Sequence, residues 1–187
     1  MPSPPRLRDI QDTELALMLS WRNAPEVRRN MYTRHEIALD DHLAWWARLQ
    51  GRADVRYHMF EAGGVPLGII GFSAIDAVNG HASWAFYAAP GAPRGTGSQM
   101  ELLALDQAFG AMGLHKLHCE VLDFNLPVIR LHEKFGFRIE GTLREHHRMD
   151  DRYVDIVRLG ILAHEWQHAR PDMARRIAST TAPRTSP

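Results

Sequence analysis

Only one cysteine, Cys119, stands among 187 residues, so no intramolecular disulfide can brace the chain. It lies in the apolar run from Leu117 to Leu122 with no cysteine motif around it, and reads as a small buried hydrophobe rather than a nucleophile. Net charge is also lacking, since 22 lysines and arginines balance 22 aspartates and glutamates. A balanced chain has no electrostatic footprint for nucleic acid or an anionic membrane, so the expected partner is a small molecule. No stretch approaches the roughly 20 apolar residues of a membrane span. The opening Met1-Pro2-Ser3-Pro4-Pro5 has no apolar core of a signal sequence, which makes the cytoplasm the expected location.

What remains reads as one domain over residues 6–168, between a Pro-rich tail at 1–5 and a flexible tail at 169–187 that shows no apolar periodicity. Arg6 to Ile10 suits a first strand. Asp12 is placed to cap a helix through Leu15, Met18 and Trp21, Pro25 to open a second, and Asp40 to cap a third with a Trp45-Trp46 stripe. From Arg56 the pattern turns to strands: Arg56 to Glu61, a Gly63-Gly64 turn, Pro66 to Ile75, an Asn79-Gly80 hairpin, and His81 to Ala88. A Gly- and Pro-rich loop leads to a helix over about Gln99 to Met112. A buried strand (Lys116 to Leu122), a helix (Leu126 to Phe135) and a final hairpin (Phe137 to Arg148, Tyr153 to Leu162) follow. The expected fold is α+β, a mixed, mostly antiparallel central sheet flanked by helices.

Arg94-Gly95-Thr96-Gly97-Ser98 falls between a strand and a helix. Glycines let the backbone approach a phosphate, a helix N-terminus presents unpaired N–H groups, its dipole favours an anion, and Arg94 can add a charge-assisted contact. A tight strand-to-helix turn explains the same residues with no ligand. Some thirty residues on, the chain reads Asn125-Leu126-Pro127-Val128-Ile129-Arg130-Leu131-His132-Glu133-Lys134-Phe135-Gly136-Phe137-Arg138-Ile139-Glu140-Gly141. The two motifs, in this order and spacing, resemble the GNAT (Gcn5-related) N-acetyltransferase superfamily. The resemblance implies a pair of splayed central strands, with acetyl-CoA as donor and its pyrophosphate cradled by Ala92 to Ser98. Asn125 would lie beside the pantetheine, and Phe86, Tyr87 and Ala88 on the splayed strand, with a backbone N–H near Tyr87 or Ala88 as oxyanion donor. Ala92 departs from the pattern, standing where Gln or Arg is usual.

Acetyl transfer to an amine requires a base for the ammonium proton, a donor for the oxyanion and a proton for the departing thiolate. Glu120 is the expected base, a carboxylate within an apolar strand whose burial would raise its pKa; a solvent-facing or Arg-paired Glu120 is the alternative. His132 is the expected acid, at a helix position where many superfamily members carry Tyr; a partly buried packing histidine is its alternative. No metal site is expected. His146 and His147 are adjacent and would point to opposite faces of a strand, while His115 and His118 lack a third ligand.

The acceptor side falls to the N-terminal half, where Trp21-Arg22-Asn23, Arg28, Met31, Tyr32, His42 and Trp45 mix aromatic faces with hydrogen-bonding groups. That mixture suits a nucleobase and sugar, with Arg28 or His42 meeting a diphosphate. The cluster resembles GNAT enzymes of pseudaminic acid biosynthesis, which acetylate the 4-amino group of a UDP-linked 4-amino-4,6-dideoxy sugar on the way to flagellin glycosylation. By that resemblance Arg28, Met31, Tyr32, His42, Trp45 and Glu120 are acceptor-side residues. Two alternatives stand: an acetyltransferase for protein N-terminal amines or polyamines, for which an acidic pocket would speak, and a non-catalytic acyl-CoA-binding module. A homodimer is compatible with either enzyme reading.

Overall fold

The computed structural model describes residues 3–181. Its elements run β1 (Arg6–Arg8), a 3-10 turn (Asp12–Glu14), α1 (Leu15–Asn23), α2 (Pro25–Arg28), α3 (Leu39–Leu49), β2 (Arg56–Ala62), β3 (Val65–Asp76) and β4 (His81–Ala88). There follow α4 (Thr96–Asp106), β5 (Lys116–Leu122), α5 (Leu126–Lys134), β6 (Arg138–Met149), β7 (Arg152–Leu162) and α6 (Ala163–Thr181).

The seven strands form one sheet in the order β1-β2-β3-β4-β5-β7-β6. Every neighbour pair is antiparallel except β4 and β5. That parallel pair is in register only from His81 opposite Lys116 to Ser83 opposite His118. Beyond it both strands continue, to Ala88 and Leu122, without pairing, and the sheet opens there into a gap. This is the expected α+β fold with its splayed strands.

The core gathers under α4, α5 and α6, around Phe60, Phe72, Trp84, Leu105, Leu117, Phe135 and Trp166. α4 lies close on the sheet because β3 carries Gly68, where a Cβ would stand 2.6 Å from Met100 Cε. A second cluster covers the other face: Leu15, Met18 and Trp21 of α1 meet Met59 and Ile69, with Trp45 and Trp46 packed against them. The Trp45-Trp46 stripe is therefore half-buried packing against this core.

Several expected boundaries move. Gln11, not Asp12, is the N-cap residue of the first turn, and Asp12 instead accepts a hydrogen bond from Trp46 Nε1 at 3.2 Å. The third helix is capped at Ala38, which puts Asp40 inside its first turn. The fourth begins at Thr96 and ends in a π-turn, Gln107–Ala111, in which Met112 N–H reaches back five residues to Gln107 O at 2.9 Å.

The largest correction concerns the expected tail from 169, because α6 continues to Thr181 through Pro171. Trp166 and Met173 are buried, and Ala169 and Ile177 pack on the core, a spacing of three, four and four that binds one helical face to it. Arg170 adds a two-pronged contact to Asp106, Nε to Oδ1 at 2.7 Å and Nη2 to Oδ2 at 2.8 Å. Of the expected N-terminal tail, residues 1–2 lie outside the described residues. Ser3 accepts a backbone hydrogen bond from Gly63 N–H at 3.1 Å. Residues 182–187 are likewise outside them.

Candidate active site

A cleft of about 550 Å³ occupies the gap between β4 and β5. Its floor is the run from Trp84 to Ala89 on one side and Cys119 to Leu122 on the other. The loop from Pro90 to Gly97 closes one end, and Glu26, Met31 and Tyr32 the other, with Asn125 and His132 entering from α5 and its approach.

The glycine loop has the geometry an anion needs. Gly95 sits at φ 95°, ψ −12° as the N-cap of α4, a left-handed conformation that L side chains resist. Thr96 N–H donates to Pro93 O at 3.1 Å and Gln99 N–H to Gly95 O at 3.1 Å, while Thr96 Oγ1 donates to Pro93 O at 2.7 Å. The N–H groups of Gly97 and Ser98 head the helix, where no carbonyl of the preceding turn can accept from them. They and the helix dipole make a cradle that fits a pyrophosphate. Gly95, Thr96 and Gly97 line the cleft; Ser98 and the exposed Arg94 sit beside it.

On β4 the backbone supplies a further donor. Ala89 N–H donates to Leu67 O at 2.8 Å, toward β3. Successive N–H groups alternate along a strand, so that of Ala88 points the opposite way, into the gap.

Glu120 lines the cleft, but burial does not define it. β5 alternates, with Leu117, Cys119 and Val121 inward, and leaves the Glu120 side chain 32% exposed. Its carboxylate accepts a hydrogen bond from Tyr32 Oη at 3.0 Å and lies 3.3 Å from Arg158 Nε. This is the Arg-paired alternative, and the expectation of a buried carboxylate is corrected. Burial and the Glu120 carboxylate together push the Tyr32 hydroxyl well above the usual phenol range, so it stays a donor. Cys119 is buried in the cleft wall with its thiol pushed up by desolvation, which keeps it an unreactive thiol.

His132 is 2% exposed. Its ring sits among Trp84, Phe86 and Phe137, with centroids 5.4, 6.0 and 5.1 Å away. Nδ1 lies 2.8 Å from Glu101 Oε1. Glu101, absent from the sequence reading, is a wholly buried carboxylate on α4 whose pKa is raised by desolvation and drawn back in part by His132. A signal was available: Thr96, Met100, Glu101, Ala104, Leu105 and Ala108 make one buried face, so the carboxylate falls where a helix wants an apolar side chain.

The acceptor cluster divides. Met31 and Tyr32 reach the cleft. His42 and Trp45 do not: His42 is buried, stacked on Trp45 at 5.3 Å, with its pKa lowered by desolvation, and Trp45 packs edge-on against Tyr57 in the second core. α3 turns its aromatic face to α1 and β2, which removes both from an acceptor platform. Arg28 is half-buried outside the cleft lining, its Nε without a hydrogen-bond partner. Trp21-Arg22-Asn23 serves as scaffold. Asn23 exchanges two hydrogen bonds with the Ile37 backbone, at 2.8 and 2.9 Å, and Arg22 Nη2 donates to Thr33 O at 2.9 Å, which together hold the loop that carries Tyr32. Glu26, from the same N-terminal cluster, also lines the cleft, and Asn30 is a cleft residue the sequence did not reveal.

Beside the cleft lies a groove of about 650 Å³, lined by Arg29, Arg34, Asp150 and Arg152 and sharing Asn30, Asn125 and Val128 with it. Arg34 is tied to Asp150 at 2.6 Å. Among the described residues, no group of three histidine, cysteine or carboxylate side chains could hold a metal ion. Among them too, no helix is long and apolar enough to cross a membrane.

The acetyltransferase (GNAT) domain family model matches residues 6–138. The SPbeta prophage-derived uncharacterized N-acetyltransferase YokL of Bacillus subtilis is 30% identical over 165 residues, which is 86% of this chain and 91% of that protein. A spermidine N(1)-acetyltransferase of Escherichia coli is 26% identical over 119 residues, 62% of this chain and 64% of the relative. Among solved structures, the spermidine N-acetyltransferase of Vibrio cholerae in complex with CoA and spermine superimposes with a TM-score of 0.83 at 22% identity, covering 87% of this chain and 98% of that one.

Proposed function

The chain belongs to the GNAT acetyltransferase family and transfers acetyl from acetyl-CoA to an amine, and we propose that its acceptor is a cationic primary amine of the polyamine class. The carrying observation is the charge of the cleft. Its ionisable lining comprises Glu26 and Glu120, with Cys119, Tyr32, Tyr87 and His132, and among the described residues it includes no lysine or arginine, Arg158 meeting Glu120 from outside the lining. A polycation gains there what a second ammonium group would lose beside a basic wall. The likeness to spermidine acetyltransferases supports the same acceptor.

In this reading the N–H groups of Gly97 and Ser98 hold the pyrophosphate of acetyl-CoA, and Arg94 meets it from solvent. Phe86, Tyr87 and Asn125 flank the pantetheine arm, which supplies the thioester. Glu120, held by Tyr32, takes the ammonium proton directly or through one water. The freed amine forms its bond to the thioester carbon while the Ala88 N–H stabilises the oxyanion. As the C–S bond breaks, His132 gives a proton to the sulfur, and the second proton of the attacking nitrogen leaves through water to solvent, so a neutral amide and a thiol remain.

One observation favours a second acceptor. Arg29 and Arg152 in the adjoining groove suit a diphosphate, so the UDP-linked 4-amino sugar of the pseudaminic acid route remains a reading to test, with the groove in place of His42 and Trp45. The deciding experiment follows release of the free thiol from acetyl-CoA with spermidine, spermine, a peptide amine and the UDP-amino sugar in parallel, with product masses. Turnover of the polyamines is expected. Turnover of the sugar with none of the polyamines would overturn the reading.

A further inference from the structure

Two carboxylates are buried among the described residues, Glu61 and Glu101. Glu61 is answered by Arg6 and Arg8. Among the described residues, Glu101, at 0% exposure, meets no arginine or lysine within hydrogen-bond distance: Oε1 faces His132 Nδ1 at 2.8 Å, and Oε2 has no partner. An apolar side chain would serve α4 packing at less cost, because desolvating a carboxylate is unfavourable unless its partner compensates. His132, its one hydrogen-bond partner among the described residues, also lines the cleft from α5, as Val128 does.

We propose that Glu101 is a positioning residue for acetyl transfer, holding His132 by Nδ1 so that the opposite ring edge keeps an Nε2–H for the departing sulfur. This rests on the acid role given to His132 above. The proton between Oε1 and Nδ1 makes the pair neutral overall, whether it is written as a carboxylic acid beside imidazole or a carboxylate beside imidazolium. In both forms Nε2 bears hydrogen. When the C–S bond breaks, its electron pair goes to sulfur, and the Nε2–H bond breaks as S–H forms. The shared proton settles on Nδ1, leaving a carboxylate hydrogen-bonded to neutral imidazole, and solvent at the cleft restores the proton to Nε2. Without Glu101, a neutral His132 that gave up Nε2–H would become an imidazolate.

The surroundings suit a neutral pair. β4 presents the Trp84 and Phe86 rings, and β5 the Cys119 thiol, itself pushed up by burial and by Glu101. α5 adds His132 and, acting weakly on Glu101 by charge alone, Lys134. Desolvation raises the Glu101 carboxyl, which favours retention of the shared proton.

The test is a double-mutant cycle on kcat against pH. Glu101→Gln keeps the shape and the contact to Nδ1 but has no proton to yield. It should lower kcat about tenfold at pH 8 and move the alkaline limb to lower pH, with the KM for acetyl-CoA within about twofold. In a His132→Phe background it should cost nothing further. An equal loss in both backgrounds with an unmoved pH profile would overturn the proposal in favour of packing. Full activity of His132→Phe alone would instead remove the acid role itself. A readout independent of any variant is the ¹⁵N resonance of His132 in the intact protein. A protonated Nε2 at neutral pH is expected, and a bare Nε2 beside Nδ1–H would overturn the proposal.

Discussion

Tyr32 Oη donates a 3.0 Å hydrogen bond to Glu120 Oε2 across 88 residues of sequence, joining the loop after α2 to the middle of β5 at the cleft mouth. Arg158 holds the other oxygen at 3.3 Å. The carboxylate is thus held by a hydrogen bond at one oxygen and an ion pair at the other while it stays within reach of an entering amine. Glu120→Gln keeps the shape and removes the base, and should lower kcat by about a hundredfold or more at neutral pH with coenzyme A affinity unchanged. Tyr32→Phe removes one of two anchors and should cost less than about tenfold. Steady-state kinetics on both variants decide it; an unaltered kcat in Glu120→Gln would remove the base assignment.

Replacing His132 by Phe separates catalysis from packing. The ring would rest among Trp84, Phe86 and Phe137, so the variant should fold, and kcat should fall by less than about a hundredfold if the thiolate can leave unaided. The variant also strands Glu101. A buried carboxyl with a raised folded pKa contributes its stability at low pH and loses it as pH rises through that pKa. His132→Phe should therefore be more stable near pH 5 than near pH 8, and Glu101→Gln in that background should flatten the difference. Thermal melts at the two pH values provide the check.

How far the site could be read from sequence depended on how local each part is. The glycine loop and the Asn125-to-Gly141 segment are contiguous, and their spacing carried both the fold and the donor. His42 and Trp45 looked like ligand groups because composition alone does not say which way α3 faces. The register of α3 on α1 decides that, through contacts some thirty residues apart in sequence, such as Trp46 to Asp12. The Glu101–His132 pair needed two helices docked on one sheet face, yet half of it was legible in a carboxylate at a core position of α4.

Gly95 distinguishes a strained turn from a mere linker. Nothing lies within 4 Å of a Cβ placed there, so Gly95→Ala meets no clash and suffers only the φ of 95°. The expected cost is about 1–2 kcal/mol for a non-glycine in that region. If the chain instead relaxes by shifting the loop, Gly97 and Ser98 N–H move with it and the KM for acetyl-CoA rises. Loss of neither stability nor cofactor affinity would show that the left-handed turn is dispensable.

At the other end of the sheet, Arg8 joins β1 to the first turn and to β2, donating to Glu14 at 2.6 and 2.8 Å and to Glu61 at 2.8 Å. Hydrogen bonds from Arg8 lower both carboxyls, aided by Arg6 at Glu61. Carboxyls depressed on folding stabilise the protein above their unfolded pKa of about 4.3 and lose that contribution as pH falls through the folded values. Stability should therefore drop from about pH 5 to about pH 3, and Arg8→Met should reduce that drop. Urea unfolding at several pH values measures it, and an equal slope in wild type and variant would refute the linkage.

The C-terminal helix offers the sharpest test of the fold, because its second half looked like tail. Arg170, Pro171, Asp172, Arg175 and Arg176 dilute the apolar content, and a proline inside a helix forfeits one hydrogen bond. Against that cost stands Met173, 3% exposed and packed on the main core, one turn beyond the Arg170–Asp106 contact. If residues 169–181 are folded onto the domain, Met173→Ala should cost about 2–4 kcal/mol, the range for large-to-small core changes. For a chain of this length that is a fall in Tm of about 4–16 °C. A surface substitution on a frayed tail would stay within about 0.5 kcal/mol. A melt of Met173→Ala indistinguishable from wild type would detach the helix end from the core, whereas the expected fall would extend the folded domain to at least Met173.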